Sequence, residues 1–410
     1  MSLTAPQGFS NTSLPNSTQD RCKYRAGFVR TSHTPAFWLH YFDRAPTSLS
    51  SHNGATASLM EQPLSIYMGR IAAKQIGAMG WQRAPFSTLL GASGGPKWLI
   101  LSELDQVLAA EWLNAMPKLT LLGSSIGTWR HACLSQANAV AAIQRLQHAY
   151  LYQQYSTERP SPQEISSVAE EMLREALGAD GIARIVDHPR LSNAIITARA
   201  KGIVGGRSGV SLAAGMGCAT LTNVVRRSGL ALLFQRVAFC HHALGTLPFA
   251  RGFDTRNVPL VRENVIPALK ASGAIPFLMQ SENHIAGAGE GPFWDGGIID
   301  YHFTLKGEPP QGLVLYPHFC SRLTPGWFDK MLKWRSYAPR LDSLVLLCPS
   351  ESFLAGLPHG KIPDRGDFRA MTPEARIRYW ETCVREGQRL ADCFHELITG
   401  DDPLRGVTLI

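Results

Sequence analysis

The sequence predicts an α/β fold whose central sheet is mainly parallel and covered by helices. Two short apolar runs, residues 86–90 and 119–122, are each followed by a glycine-rich turn and then by a helix-like stretch. Strand–turn–helix units in series are typical of a parallel sheet with helical cover. The composition agrees, because 410 residues with 45% hydrophobic and 18% charged side chains can bury a sizeable core.

The first 60 residues differ in composition from the rest of the chain. They are rich in Ser, Thr, Asn, Pro and Gln and show no sustained hydrophobic period. Such a segment buries too little apolar surface to order itself, so we expect a disordered extension over residues 1–60. We expect residues 61–410 to form a single domain.

Hydrophobic patterning places the elements of that domain in order. Helices are expected over residues 66–79, 99–113, 128–134, 162–177, 179–186, 208–225, a segment ending near Lys270, and 373–397. Strands are expected over residues 86–90, 119–122, 193–198, 230–234, 312–316 and 343–347. The small-residue helix 208–225 is expected to pack in the core, with a mobile lid as the alternative.

The charge of the chain bears on its partners. The formal net charge is +8, but the basic residues are scattered, and the longest basic run is Arg226-Arg227. Neither a basic arm nor a nucleic-acid-binding motif is present, so we expect no nucleic-acid partner. The basic surface is either simply solvated or attracted to an anionic membrane surface, where the protein would be peripheral.

The cysteines and the N-terminus indicate a compartment. The eight cysteines are dispersed, without a C-x-x-C pair or zinc-ligand spacing, so we expect buried free thiols and no metal site. The N-terminus lacks the apolar segment of a signal peptide, and no run reaches the length of about 20 apolar residues that spans a bilayer. These features favour a cytoplasmic protein.

The turn between the second apolar run and its helix is a candidate nucleophile elbow. It reads Gly123-Ser124-Ser125-Ile126-Gly127, which fits G-x-S-x-G. The two outer residues, Gly123 and Gly127, would allow a strand and a helix to approach closely around a strained turn. Ser125 is therefore the candidate nucleophile, at the positive end of a helix.

Two further glycine-rich turns supply the groups that such a serine needs. The loop Gly91-Ala92-Ser93-Gly94-Gly95-Pro96-Lys97-Trp98 follows the first apolar run, and its glycine N–H groups can point at an oxyanion. Downstream, Trp294-Asp295-Gly296-Gly297 places a carboxylate before two glycines. Asp295, held in a turn by Gly296 and Gly297, can accept the proton of a serine hydroxyl.

The order and context of these segments resemble the patatin-like phospholipase family, whose motifs are G-G-G-x-[KR]-G, G-x-S-x-G and D-G-[GA]. Residues 271–276 also resemble the small-residue stretch that precedes the catalytic Asp of that family. The resemblance covers roughly residues 66–302. Ser93 and Trp98 stand where the first motif has glycines, and residues 298–302 also depart from the family pattern, so the chain resembles a divergent, bacterial-type branch.

The resemblance implies a three-layer α/β/α fold and a lipid acyl hydrolase that cleaves carboxylic esters through a Ser–Asp dyad and an acyl-enzyme. Ser125 would be the nucleophile and Asp295 the base. The N–H groups of Gly94, Gly95 and Ile126 would form the oxyanion hole. Lys97 would either support that loop or contact a headgroup. The expected partner is a lipid ester, without a cofactor.

Other functions remain open from the residues alone. An acyltransferase could use the same dyad, and a silent protein of the same fold could bind phosphate or lipid. The glycine loop does not match a Walker A motif, because Trp98 replaces the required hydroxyl. An α/β-hydrolase would need a histidine such as His318 or His359, and His131, His302 and His318 are the alternatives for a third catalytic residue. The aromatic and basic segment 326–335 is expected to dock on the core, with a membrane interface as the alternative.

Overall fold

The computed structural model describes residues 62–206, 209–245, 247–307 and 309–410. The segment 1–60, for which the sequence predicts disorder, lies outside the described residues. Cysteines in the described part are free thiols. Three of them, Cys133, Cys348 and Cys383, are buried as expected, whereas Cys218 is exposed.

One sheet of eleven strands organises the described part of the chain. Its strands are β1 (Leu64–Met68), β2 (Phe86–Gly91), β3 (Leu119–Ser124), β4 (Leu191–Ala200), β5 (Phe234–Cys240), β6 (Thr255–Pro259), β7 (Glu282–Ile285), β8 (Gly289–Asp295), β9 (Leu313–Pro317), β10 (Leu344–Pro349) and β11 (Val407–Leu409). The main path runs β11-β1-β10-β9-β2-β3-β4-β5-β6, and the β7–β8 hairpin joins through β8 and β4.

The centre of the sheet is parallel. Strands β10, β9, β2, β3 and β4 pair in parallel with their neighbours. Antiparallel pairs occur where β1 meets β10 and where β4 meets β5 and β8. The strands β9 and β10 read as continuous apolar runs and are buried throughout, as expected for strands covered on both faces. The predicted fold class, an α/β protein with a mainly parallel central sheet, is confirmed.

Helices connect and cover the strands. They are α1 (Arg70–Met79), α2 (Ser102–Val107), α3 (Ile126–Leu134), α4 (Ala139–Tyr152), α5 (Pro162–Leu177), α6 (Gly181–Val186), α7 (Gly209–Val225), α8 (Leu230–Leu233), α9 (Arg262–Gly273), α10 (Gly297–Asp300), α11 (Glu351–Gly356), α12 (Asp367–Ala370) and α13 (Pro373–Thr399). Helices α2, α3, α4, α5, α9 and α13 contact one another, while α7 packs with α8 and with short turns at residues 202–205, 227–229 and 327–329.

Capping and patterning explain where the longer helices begin. Ser161 and Thr372 each accept a hydrogen bond from a backbone N–H at the start of α5 and α13, and a proline follows each cap. In α13 the buried positions recur at helical spacing, including Trp380, Leu390 and Phe394. That stripe packs against α2 and the turn Gly95–Leu101, which links the C-terminal region to the candidate oxyanion loop.

Three local predictions were wrong. Residues 64–68 form β1 rather than the start of a helix, because they pair with β10 and β11. Leu230–Leu233 forms α8, and the strand begins only at Phe234. The helix α7 is not a core helix: four of its residues are buried, whereas Leu221 and Val225 are 71% and 86% exposed.

The segment 326–335 divides between core and surface. Trp327 and Phe328 are buried in a short 3-10 turn, so the expected docking on the core is confirmed for these two residues. Trp334, a few residues later, is 75% exposed. None of the described helices is both long and apolar enough to cross a bilayer.

Candidate active site

Strand β4 brings the two halves of the site together. Its Ile196 pairs with Ser124 at the end of β3, and its Thr197 pairs with Asp295 at the end of β8. Because β5 occupies the other edge of β4, β3 and β8 share one edge and their carboxyl ends meet there. Ser125, the residue after β3, therefore lies beside Asp295 although 170 positions separate them in the chain.

Ser125 occupies a strained turn. Its φ of 55° and ψ of −132° lie outside the ordinary regions for a residue with a side chain, and α3 begins immediately after it. A Cβ on Gly127 would lie 2.1 Å from the carbonyl oxygen of Gly91, and a Cβ on Gly123 would lie 2.9 Å from the Gly127 carbonyl carbon. Glycine at these positions lets β2, β3 and α3 approach closely enough to hold the turn.

Ser272 holds the backbone of the strained residue. Its hydroxyl accepts a hydrogen bond from the N–H of Ser125 at 2.9 Å and donates one to the carbonyl oxygen of Ile196 at 2.6 Å. The side chain is fully buried. Thr128 adds a second restraint, since its hydroxyl donates to the carbonyl oxygen of Ser125 at 2.7 Å. Both the N–H and the carbonyl oxygen of Ser125 are thus held by side-chain hydroxyls.

Ser125 and Asp295 form a hydrogen-bonded pair. The hydroxyl of Ser125 donates to Oδ2 of Asp295 at 2.8 Å, and Oδ1 accepts the N–H of Gly297 at 2.7 Å. The backbone N–H of Asp295 donates to the carbonyl oxygen of Ala274, which lies with Ser272 in the small-residue stretch 271–276. Both carboxylate oxygens are therefore oriented, and the oxygen that faces Ser125 is placed to accept its proton.

The environment of Asp295 suits a base. Burial raises the pKa of Asp295 to about 6, against the lowering effects of Arg365, the Gly297 N–H, Ser125 and Lys330. A carboxylate with this pKa is ionised near neutral pH, yet it binds a proton more readily than an exposed aspartate does.

The glycines after Asp295 are required by close contacts. A Cβ on Gly296 would lie 2.3 Å from the carbonyl oxygen of Ile196, and a Cβ on Gly297 would lie 2.7 Å from the hydroxyl oxygen of Ser93. A side chain at either position would collide with β4 or with the glycine loop. The two predicted base-turn residues therefore lie where β4 and the glycine loop converge.

The glycine loop lies against the elbow and the base turn. The hydroxyls of Ser93 and Ser124 hydrogen-bond at 2.9 Å, and the N–H of Ser93 donates to the carbonyl oxygen of Tyr301. Gly95 has a φ of 56° and opens the 3-10 turn Gly95–Leu101. Within the described residues, the N–H groups of Gly94 and Gly95 donate no hydrogen bond, so both are available to an incoming oxyanion.

The third predicted donor and the predicted lysine also lie at this site. Ile126 is the first residue of α3, where backbone N–H groups have no partner inside the helix. Lys97 is half-buried, and its ammonium lies 5.2 Å from the centre of the Phe319 ring. Phe319 in turn contacts Gly94, since a Cβ on that glycine would lie 2.6 Å from the ring. Lys97, within the glycine loop, therefore lies near Gly94, at a position open to either of its two expected roles.

The candidate histidines lie apart from the dyad. Burial and Arg130 lower the pKa of His131 to about 3, and its ring packs behind Gly91. His302 and His318 are buried against each other, with ring centres 4.2 Å apart. His359 is exposed on the Tyr379 ring. In the part of the chain that the structure describes, none of these imidazoles hydrogen-bonds to Ser125 or Asp295.

His302, His318 and Cys320 form the one cluster of described residues that could offer three ligand atoms to a metal. The chemistry of these three side chains does not suit a bound metal ion. The Nδ1 of His302 accepts a hydrogen bond from the N–H of Thr324, so the proton of the neutral ring lies on Nε2 and neither ring nitrogen offers a free lone pair to an ion. Burial raises the pKa of Cys320 to about 11, which disfavours the thiolate ligand.

Two site residues were missed by sequence reasoning. Ser272 lies in the small-residue stretch that the sequence singled out, but its hydroxyl carries no local sign of the contact with Ser125. Arg365 comes from the C-terminal region, and a Cβ on Gly95 would lie 3.1 Å from its Nε. No motif surrounds it, and the contact follows from the packing of α13 on the turn Gly95–Leu101.

No family model matches the chain, and no curated protein matches it. VipD from Legionella pneumophila is similar over 87% of this chain and 76% of its own, with 12% identity and a TM-score of 0.29. The type III effector protein ExoU is similar over 78% of this chain and 58% of its own, with 16% identity and a TM-score of 0.25.

A second structure of ExoU shows it in a heterodimeric complex with SpcU from the type III secretion system of Pseudomonas aeruginosa. The similarity extends over 87% of this chain and 61% of that chain. Its identity is 13% and its TM-score is 0.26. At these values the similarities carry no conclusion about activity. The class of protein rests on the fold and the site: an α/β protein that holds a serine and a buried aspartate in hydrogen-bond contact at a strained strand-to-helix turn.

Proposed function

We propose that this protein is a lipid acyl hydrolase that cleaves carboxylic esters through a Ser125–Asp295 dyad. The observation that carries the proposal is the 2.8 Å hydrogen bond from the Ser125 hydroxyl to Asp295, made by a serine with a φ of 55°. Strain at a functional turn indicates a role, because the surrounding structure must hold it in place. The resemblance of the three motifs to patatin-like phospholipases supports the same reaction.

The first half of the reaction acylates the serine. The Ser125 oxygen attacks the ester carbonyl carbon while its proton moves to Oδ2 of Asp295. The carbonyl electron pair moves onto oxygen and forms a tetrahedral oxyanion. When the intermediate collapses, the bond to the alcohol oxygen breaks, and the alcohol leaves with the proton from Asp295.

Hydrolysis of the acyl-enzyme regenerates the dyad. A water molecule attacks the acyl carbon and gives its proton to Asp295. Collapse of the second oxyanion breaks the bond to Ser125, which recovers the proton as the carboxylic acid leaves. In both halves the N–H groups of Gly94, Gly95 and Ile126 stabilise the oxyanion, and one such donor is worth about 3 kcal/mol of barrier.

A surface beside α7 supports a lipid substrate. Its exposed apolar residues are Leu221 and Val225 on α7, Leu232 on α8 and Trp334. The guanidinium of Arg335 donates to the carbonyl oxygen of Val224, which joins the Trp334 segment to the end of α7. We call these four exposed residues the apolar surface. Exposed basic side chains, Arg226 and Lys333, flank it, a combination that suits peripheral contact with an anionic membrane.

The reaction is tested with short-chain esters and an active-site label. Wild-type protein is expected to hydrolyse p-nitrophenyl butyrate and to be labelled by a fluorophosphonate at Ser125, as read by peptide mass spectrometry. Ser125→Ala should lose both properties while keeping its circular dichroism spectrum. Labelling without release of free acid, and transfer of the acyl group to an added alcohol, would identify an acyltransferase. An unlabelled, inactive and folded wild type would reject the proposal.

The membrane contact has its own test. Val225→Asp should reduce sedimentation with phosphatidylglycerol vesicles, because it places a negative charge on the apolar surface. Met79, on α1, is 48% exposed and lies outside this surface, so Met79→Asp is the matched control and should sediment as wild type does. Equal losses in the two variants would reject the assignment of this surface.

A further inference from the structure

Arg365 lies directly over the candidate oxyanion loop. A Cβ on Gly95 would lie 3.1 Å from its Nε and 3.2 Å from its Nη2, so the guanidinium occupies the space beside that glycine into which a side chain would extend. The side chain is half-buried. Arg365 is 240 residues from Ser125 in the chain, and only the tertiary fold brings the two together.

A rigid turn carries this arginine. Asp367 is fully buried, and its carboxylate accepts hydrogen bonds from the Trp380 ring N–H, the Asp364 backbone N–H and Lys361. Asp364 in turn accepts the N–H of Gly366 at 2.7 Å. The residues on both sides of Arg365 are therefore fixed, and its side chain projects from a held backbone toward the oxyanion loop.

Within the described residues, no carboxylate is hydrogen-bonded or ion-paired to the guanidinium of Arg365, although its charge lowers the pKa of Asp295. The nearby carboxylate, Asp295, already receives Ser125 on one oxygen and Gly297 on the other, and no hydrogen bond joins it to Arg365. A half-buried guanidinium without a hydrogen-bonded carboxylate keeps its planar donors available to an anionic ligand. Its position beside Gly95 would place such an anion next to the oxyanion hole.

Other cations converge on the same region. Lys97, on the oxyanion loop, lies over Phe319, and Lys330 lies 4.3 Å from the centre of the Tyr301 ring. Burial alone would raise the pKa of Tyr301, but Lys330, Lys97 and Arg365 together lower it below its ordinary value. Tyr301 also carries the carbonyl that holds the oxyanion loop. The positive charge is thus concentrated beside the site of ester cleavage.

We propose that Arg365, assisted by Lys97, binds a phosphate group on the alcohol side of the ester and makes the enzyme selective for phosphate-bearing acyl esters. Arginine suits this role because its planar donors can bind two phosphate oxygens at once. The inference rests on the proposed esterase function. It adds a specificity-determining residue that lies outside the three motifs and belongs to the C-terminal region.

Two esters with the same acyl chains test the selectivity. Dihexanoylphosphatidylcholine carries the phosphate, and dihexanoylglycerol does not. Arg365→Gln is expected to lower the ratio of their kcat/KM values, phospholipid over glyceride, by about tenfold to a hundredfold, as for loss of a charged hydrogen bond. Arg365→Lys keeps the charge and should lose less of the ratio. Arg378→Gln, at an exposed arginine of α13, is the control and should leave the ratio unchanged.

Binding to a variant that cannot turn over separates this inference from the proposed reaction. Ser125→Ala should bind dihexanoylphosphatidylcholine in calorimetry, and adding Arg365→Gln should weaken that binding by a similar factor. Equal losses of kcat/KM on both esters would assign Arg365 to the loop itself and overturn the inference. So would an unchanged ratio, or binding that does not depend on Arg365. A wild type that binds through Arg365 but hydrolyses neither ester would reject the esterase and keep the phosphate site.

Discussion

Removing the hydroxyl of Ser272 tests how the strained elbow is held. Ser272→Ala deletes the acceptor for the Ser125 N–H and the donor to the Ile196 carbonyl, in a place without solvent exposure. Two buried backbone groups then lose their partner. Because Ser125 has a φ of 55°, the loss falls on a residue whose backbone already stores strain.

The size of the effect follows from these two contacts. An unsatisfied buried polar group costs about 1–3 kcal/mol, so two of them should lower the free energy of unfolding by about 2–6 kcal/mol, less any energy that the turn regains by relaxing. Relaxation would move the Ser125 hydroxyl away from Asp295. A displacement of about 1 Å at a reacting group lowers the rate roughly a hundredfold, so we expect kcat for a short ester to fall by about tenfold to a hundredfold.

The assay combines urea unfolding with ester hydrolysis, and Ser135→Ala is its matched control. Ser135 is also buried, donates to the His131 carbonyl and accepts the Asn193 amide, at the other end of α3. It should lose similar stability but keep kcat. If Ser272→Ala keeps wild-type kcat while losing stability as Ser135→Ala does, the hydroxyl of Ser272 does not hold the reactive geometry, and the reasoning fails.

Three further predictions concern the ionisation of Asp295 and the close packing at Gly127. The base must be ionised to accept a proton, and the pKa of Asp295 is about 6. The kcat/KM for a neutral ester should therefore fall as the pH is lowered through 6. A rate profile that stays flat down to pH 4 would exclude Asp295 as the base. Because the pKa of Asp295 is raised in the folded protein, protonation of Asp295 stabilises the fold. This stabilisation is full below about pH 4 and is lost as the pH rises through 6. At pH 8, Asp295→Asn should therefore be no less stable than wild type in urea unfolding. Gly127→Ala places a Cβ 2.1 Å from the Gly91 carbonyl oxygen and should destabilise the fold by about 3 kcal/mol or more in urea unfolding, whereas Gly356→Ala, with open space around it, should be near neutral.

The strand–turn–helix units were predictable because their signals are local. An apolar run followed by glycine and then by helical periodicity predicts β3 and α3 without knowledge of the rest of the chain. The β7–β8 hairpin was not predicted, since Gly289, Gly291 and Pro292 weaken the strand pattern of β8. That strand exists because it completes an edge of β4, which is a long-range requirement.

Short apolar runs and partly exposed helices are elements that the sequence pattern predicts incorrectly. Leu230–Leu233 is a short apolar run that fits a helix or a strand equally, and its packing against α7 decides for a helix. The helix α7 has an apolar composition that predicts burial, but the structure leaves Leu221 and Val225 exposed. Composition alone cannot distinguish a core helix from one with an exposed apolar face.

The site residues likewise include some that local motifs predict and others that only the tertiary structure reveals. Ser125, Asp295 and the glycines carry local motifs, and the structure places them within contact of one another. Ser272 and Arg365 act through the residues that they touch across the fold, so their neighbours in the sequence reveal nothing of the contact. Hydrogen bonds between distant segments need the three-dimensional arrangement of β3, β4, β8 and α13.

The most direct test of the central claim is the rate of Asp295→Asn on a short neutral ester at pH 8, measured beside His302→Gln and His318→Gln. The amide keeps the shape of the side chain but cannot take the proton of Ser125, so kcat should fall by about a hundredfold to ten-thousandfold. Each histidine variant should stay within about tenfold of wild type, because neither ring contacts the dyad in the described structure. An Asp295→Asn enzyme with nearly full activity, or a histidine variant with the same loss as Asp295→Asn, would contradict a Ser–Asp dyad.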